Sequence, residues 1–120
     1  MNTEIHWPAL LHYQGDPELA VIHSLADWQA DYAQHFFAAD DRLTDSEGQC
    51  YLLQQRVKGQ VLPEPVGLQL PLSDINALLR AHFAAAGHCC VAKMLVSSAS
   101  EAVQAVIAAE SFLSVGHSDH

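Results

Sequence analysis

The richest chemistry in this chain belongs to its thiols and imidazoles: three cysteines and eight histidines in 120 residues. Two of the cysteines are adjacent and follow a histidine, in the stretch GHCCVAKM at 87–94. Thiolate sulfur and neutral imidazole are common zinc ligands, and a thiolate is also a nucleophile. The spacing works against a metal. In an extended segment Cys89 and Cys90 point to opposite faces, whereas structural zinc sites usually draw ligands from spaced pairs. No C-x-x-C pair occurs, and Cys50 is distant in sequence. A reactive thiol would need a nearby base or a helix N-terminus to lower its pKa. Gly87 instead marks the end of a helix, where the dipole has the opposite sign. Buried structural thiols are therefore expected. The competing reading is a pocket lined by His88 with Cys89 or Cys90.

The other histidines are scattered, and none forms the H-E-x-x-H pair that sets two ligands on one helical face. His82 has the most pointed position. It falls on an apolar helical stripe with Ile75, Leu78, Leu79, Phe83 and Ala86. That suits a core-edge histidine bonded to backbone or carboxylate, or a functional imidazole lining a pocket. Glu110 occupies the equivalent stripe of the following helix and is the candidate partner of His82. The acidic run Asp40, Asp41, Asp45, Glu47 fails the calcium-loop register and reads as a solvated turn. Trp28, Tyr32 and Phe36 share a helical stripe that reads as core. Trp7, beside Pro8, with Asp27 and Asp31 on the opposite side of the helix, makes the candidate contact surface. No nucleophile elbow, P-loop or dinucleotide fingerprint is present, so no catalytic residue and no cofactor is assigned.

The elements that must position these residues follow from periodicity. Residues 5–13 and 19–24 read as a hairpin across Gly15, Asp16 and Pro17. Ser24 is a helix N-cap, with Asp27 three residues on, and the amphipathic pattern predicts a helix over 25–38. Strands are expected near 41–45 and 50–57 around a turn at Gly48, and another at 66–70. A second helix is expected from an N-cap at Ser73 to a stop at Gly87, then a strand over 90–96. The S-A-S-E capping box at 98–101 starts a third helix running to about 112. Residues 117–120 are expected to fray, leaving one domain over 1–116. The order β-β-α-β-β-(β)-α-β-α implies a two-layer α+β domain, its sheet mixed or mainly antiparallel. Alanines 77, 81, 84 and 85 on the second helix and 102, 105 and 109 on the third allow close packing, on each other first and on a second subunit otherwise.

Charge narrows the functions. Fourteen acids against five bases give a net charge of −9. That field repels phosphate backbones and anionic lipid, so nucleic acid and membrane partners are not expected. The odd cysteine count and the lack of a basic leader before the first apolar run point to a reducing cytoplasm.

Two stretches, WPALLHYQGDPELAVI at 7–22 and DDRLTDSEGQCYLL at 40–53, resemble a family of small uncharacterised proteobacterial proteins described as a domain of unknown function. The resemblance implies a bacterial single-domain protein and no activity. The residues themselves favour a non-catalytic module that binds an unidentified protein and could form a homodimer. The alternative is a small-molecule or metal binder, or an enzyme, built on the His/Cys pocket.

Overall fold

A computed structural model describes residues 5–87 and 95–118, with side chains as far as residue 109 in the last helix. The N-terminal hairpin forms as its turn chemistry dictates. Strands β1 (Ala9–His12) and β2 (Leu19–Ile22) pair antiparallel with Leu10 opposite Val21, and the Asp16 amide closes the turn onto the Tyr13 carbonyl at 3.0 Å. Helix α1 (Leu25–Asp31) follows, its Ser24 hydroxyl accepting from the Asp27 amide at 3.1 Å. A second hairpin joins β3 (Arg42–Thr44) to β4 (Gln49–Leu52). Next come a small separate ribbon, β5 (Arg56–Val57) with β6 (Gln60–Val61), and strand β7 (Glu64–Gln69). Helices α2 (Leu72–Ala85) and α3 (Ala99–Ser118) complete the chain. The main sheet runs β2-β1-β3-β4-β7, every neighbouring pair antiparallel. The fold is α+β, with three helices in the described residues.

Period-two alternation divides the core between the sheet's faces. Leu10 and Leu19 face α2 and α3, where they meet Ile75, Leu79, Phe83, Ala102, Val103 and Val106. Ala9, Leu11, Ile22, Leu43 and Tyr51 face the other way, onto Trp28, Ala33, Phe37, Leu53 and Val61. Asn76 clips the loop that leads into α3 onto α2: its amide oxygen accepts from Val96 N–H at 2.8 Å, and its amide nitrogen donates to the Val96 carbonyl at 3.3 Å. The expected box caps α3, with the Glu101 amide donating to the Ser98 hydroxyl and the Glu101 carboxylate accepting from the Ser97 amide.

Several boundaries differ from expectation. Helix α1 ends at Asp31 rather than 38. The Trp28 carbonyl takes both the Tyr32 and Ala33 amides, while Val61 N–H claims the Ala33 carbonyl at 2.6 Å. A tertiary bond to the small ribbon thus occupies a carbonyl that a longer helix would use. Phe36, expected in the core stripe, is 89% exposed, and Phe37 takes the buried place. Strand β4 stops at Leu52, and Arg56–Val57 opens a different ribbon. Helix α2 begins one residue before Ser73, capped by the Pro71 carbonyl, which accepts from the Asp74 and Ile75 amides. Helix α3 extends past 112 to Ser118. Alanines 77, 81, 84 and 85 are exposed instead of packing on α3, whereas Ala102 is buried and Ala105 and Ala109 pack against the core. Most of the expected strand 90–96 lies outside the described residues; Leu95 and Val96 are loop. Among the described residues, no helix is long and apolar enough to cross a membrane.

Candidate binding groove

The shortness of α1 opens a concavity on this face of the sheet. Seven helical residues cannot cover a sheet face, so the β5–β6 ribbon and the 62–65 segment complete the cover and leave a groove of ≈ 620 Å³ beside the helix. Trp28, Ala33 and Val61 form its floor, all nearly inaccessible. The Trp28 ring nitrogen donates to the Val61 carbonyl at 3.1 Å, which ties helix to ribbon and fixes the floor. The indole stacks between Tyr32 and Phe37, with ring centroids 5.9 and 5.7 Å away. Leu25, Val57 and Leu62 rise as the walls, each roughly half exposed. Ile5, Pro63 and Pro65 extend the apolar lining, and Gln29, Gln55, Gln60, Lys58 and Glu64 form the polar part of the lining. Among the described residues, no histidine, cysteine, serine, threonine or aspartate lines it.

Strand β7 is a less suitable docking edge. All six of its residues are exposed. Pro65 has no amide to donate, Gly67 adopts φ +73, and the pairing to β4 shifts register. These are the features that blunt sheet edges against added strands.

The residues singled out by sequence fall in different places. His82 is buried in α2, and its Nδ1 accepts the Leu19 N–H at 2.8 Å. That nitrogen therefore carries a lone pair, so the proton of the neutral ring is on Nε2. The ring also meets Phe83 edge-on at 5.0 Å. This bond joins α2 to the end strand β2 through a backbone donor. Glu110 lies on α3 with its side chain outside the described residues, as are His88, Cys89 and Cys90 altogether. Trp7 is half-buried and packs against the α1-side core. Asp27 and Asp31 are exposed on α1, the helix forming one groove wall. Among the described residues no three His, Cys, Asp or Glu side chains come together as a metal site.

Sequence reasoning missed the role of two acids. The run 40–47 is not simply a solvated turn, because Asp41 and Asp45 are buried. One Asp45 carboxylate oxygen accepts the Glu47 and Gln49 amides, and the other accepts the His6 amide and the Tyr51 hydroxyl, all at 2.9–3.0 Å. The His6 ring stands 3.4 Å from the same oxygen. Asp41 likewise accepts the Gln14 and Ala38 amides, at 2.7 and 2.8 Å. Both carboxylates bind chain segments together, which is how a buried charge is compensated. The available signal was the Asx-turn pattern D-S-E-G-Q, whose first side chain can bond amides two and four residues on.

Burial sets the perturbed groups. It pushes Tyr51 far above its ordinary value, and the bond to Asp45 adds to the effect. It also raises the Cys50 thiol, which is therefore poorly suited to nucleophilic chemistry. His12 is lowered, first by burial and then by Arg42.

Comparison with known proteins agrees with this architecture. A family model described as "protein structure with unknown function" matches residues 7–106. No curated protein matches the chain. Among solved structures, the chain resembles one titled "NMR structure of the protein from Shewanella Amazonensis". That chain is 34% identical, with a TM-score of 0.65 over 89% of this chain and 91% of the other.

Proposed function

The chain belongs to DUF4144, a family of unknown function, and we propose that it is a non-catalytic module that docks a short segment of a partner protein in the α1 groove. One observation carries this reading: an open, mainly apolar groove on a buried floor, whose ionisable lining among the described residues is Lys58 and Glu64. Catalytic sites need a nucleophile or an acid–base pair converging on a reacting atom. Interaction grooves need apolar anchoring pockets within a polar rim. The exposed Asp27 and Asp31 of α1 extend the contact surface beyond the groove.

The test is selection of peptides from a random library on the full chain, followed by residue-resolved NMR titration. Shift changes should concentrate in residues 25–33 and 55–65. Binding should be lost in Leu25→Asp and in Leu62→Asp, both exposed positions that tolerate substitution. Peptides that bind both variants undiminished would refute the groove as the docking site.

The volume also falls within the roughly 300–1,000 Å³ typical of small-molecule pockets, so an apolar ligand is the second reading. A fragment screen by the same NMR map separates the two.

A further inference from the structure

Ile5 reaches the groove from a segment of its own. The rest of the lining lies within 25–33 and 55–65, and the Trp28–Val61 bond ties those two stretches together. Ile5 opens a strap, residues 5–8, that precedes β1 and is neither helix nor strand. Its side chain is half-buried, lines the groove and packs against the core cluster that supplies the floor. Sheet pairing does not reach this far, so other bonds must hold it in place.

The β3–β4 turn supplies them. The His6 amide donates to the Asp45 carboxylate at 3.0 Å. The Ser46 amide donates to the His6 carbonyl at 3.0 Å, and the Ser46 hydroxyl donates to the Pro8 carbonyl at 2.6 Å. The last is short for a hydroxyl donor, and the first has a charged acceptor, the stronger kind of bond. The His6 amide belongs to the planar peptide unit that carries Ile5, so anchoring it fixes the direction in which Ile5 leaves the strap.

We propose that Ser46 is a positioning residue for the groove: through the strap it holds Ile5 as part of the wall, and so sets how closely a docked segment fits. This rests on the docking reading above. Ser46 itself does not line the groove, so its action is indirect. Asp45 shares the task, but it also takes bonds from Glu47, Gln49 and Tyr51, and changing it disturbs the turn as a whole. Ser46 is half-buried and donates both its amide and its hydroxyl to the strap. Removing its hydroxyl therefore loosens the strap and leaves the Asp45 bonds in place.

The affinity of a synthetic peptide selected on the full chain decides the matter. Ile5→Ala should weaken it by about tenfold, from lost apolar contact. Ser46→Ala should weaken it by about fivefold, the worth of one hydrogen bond. Ser46→Thr keeps the hydroxyl and should bind like the unaltered chain. In the double variant with Ile5→Ala the serine loss should vanish, because no isoleucine is left to position. A serine with a merely structural role would show no such dependence. In the unaltered chain, saturating peptide should slow hydrogen exchange of the His6 and Ser46 amides. Undiminished binding by Ile5→Ala or Ser46→Ala, fully additive losses, or unchanged exchange at those amides would overturn this inference and leave docking intact. Peptides indifferent to Leu25→Asp and Leu62→Asp would overturn docking itself, and this inference with it.

Discussion

The two faces of the central sheet are covered in different ways. On one, α2 and α3, of 14 and 20 residues, lie over β1 and β2. A gap beneath them, lined by Leu10, Leu19, Leu79 and Val103, measures ≈ 10 Å³, about one water molecule in size. On the other, a seven-residue helix and a two-stranded ribbon share the work and leave ≈ 620 Å³ open. Long helices present continuous apolar stripes that interdigitate, and short irregular cover cannot. The first face holds the molecule together. The second has an equally well-buried floor, but its walls are unfinished, and a partner can finish them.

This contrast can be broken most directly by truncating one leucine on each side. Leu79 is 1% exposed under the helices and Leu25 is 48% exposed at the groove wall. Leu79→Ala should cost about 3 kcal/mol, within the range for buried leucines. Leu25→Ala should cost less than about 0.5 kcal/mol. Urea denaturation of both variants measures the difference; similar losses would mean that the groove wall is part of the stabilising core.

A somewhat smaller effect is expected at Asp45, whose carboxylate fixes the β3–β4 turn and holds Tyr51 in the groove-side core. Asp45→Asn retains one acceptor oxygen but places an amide NH₂ against donors. The expected loss is about 2 kcal/mol, the cost of leaving buried donors unsatisfied. The same melts, with the Tyr51 NMR signals as a local readout, check it.

The smallest effect concerns Tyr51 alone. Tyr51→Phe should cost about 1 kcal/mol at neutral pH, the usual worth of one hydrogen bond. The sharper result is at alkaline pH. Burial holds the folded Tyr51 above its ordinary value of 10.0, so the unfolded chain loses this proton first. The contribution from the folded phenol is complete below about pH 10 and is lost as pH rises beyond it. Stability of the Phe variant should therefore fall less steeply above pH 10. Parallel slopes would show that Tyr51 is not the titrating group.

Local signals made the frame legible. The G-D-P turn, Ser24 and the S-A-S-E box each act within a few residues, and each produced its element. Helix α1 was misjudged because Trp28, Tyr32 and Phe36 keep helical spacing past its true end. The chain turns away there because Val61, far along the sequence, takes the Ala33 carbonyl. Asp45 looked solvated for a similar reason: His6 and Tyr51, two of its partners, arrive from other strands and loops. The groove could not be read at all. Its lining comes from residues 5, 25–33 and 55–65, and no pattern within any one segment announces that they meet. Histidine and cysteine drew attention by type, yet the concavity is lined by leucine, valine, proline and glutamine.

The placement of Trp28 has a practical consequence. The chain has two tryptophans, and this one lies at the groove floor, 1% exposed and stacked on aromatic rings. Its emission should lie toward the blue, and replacing Trp7 with phenylalanine would leave it as the sole indole signal. Anything that seats above the floor, or pries the ribbon from the helix, must then change the colour or intensity of that light, so the protein carries a built-in optical gauge of its own occupancy.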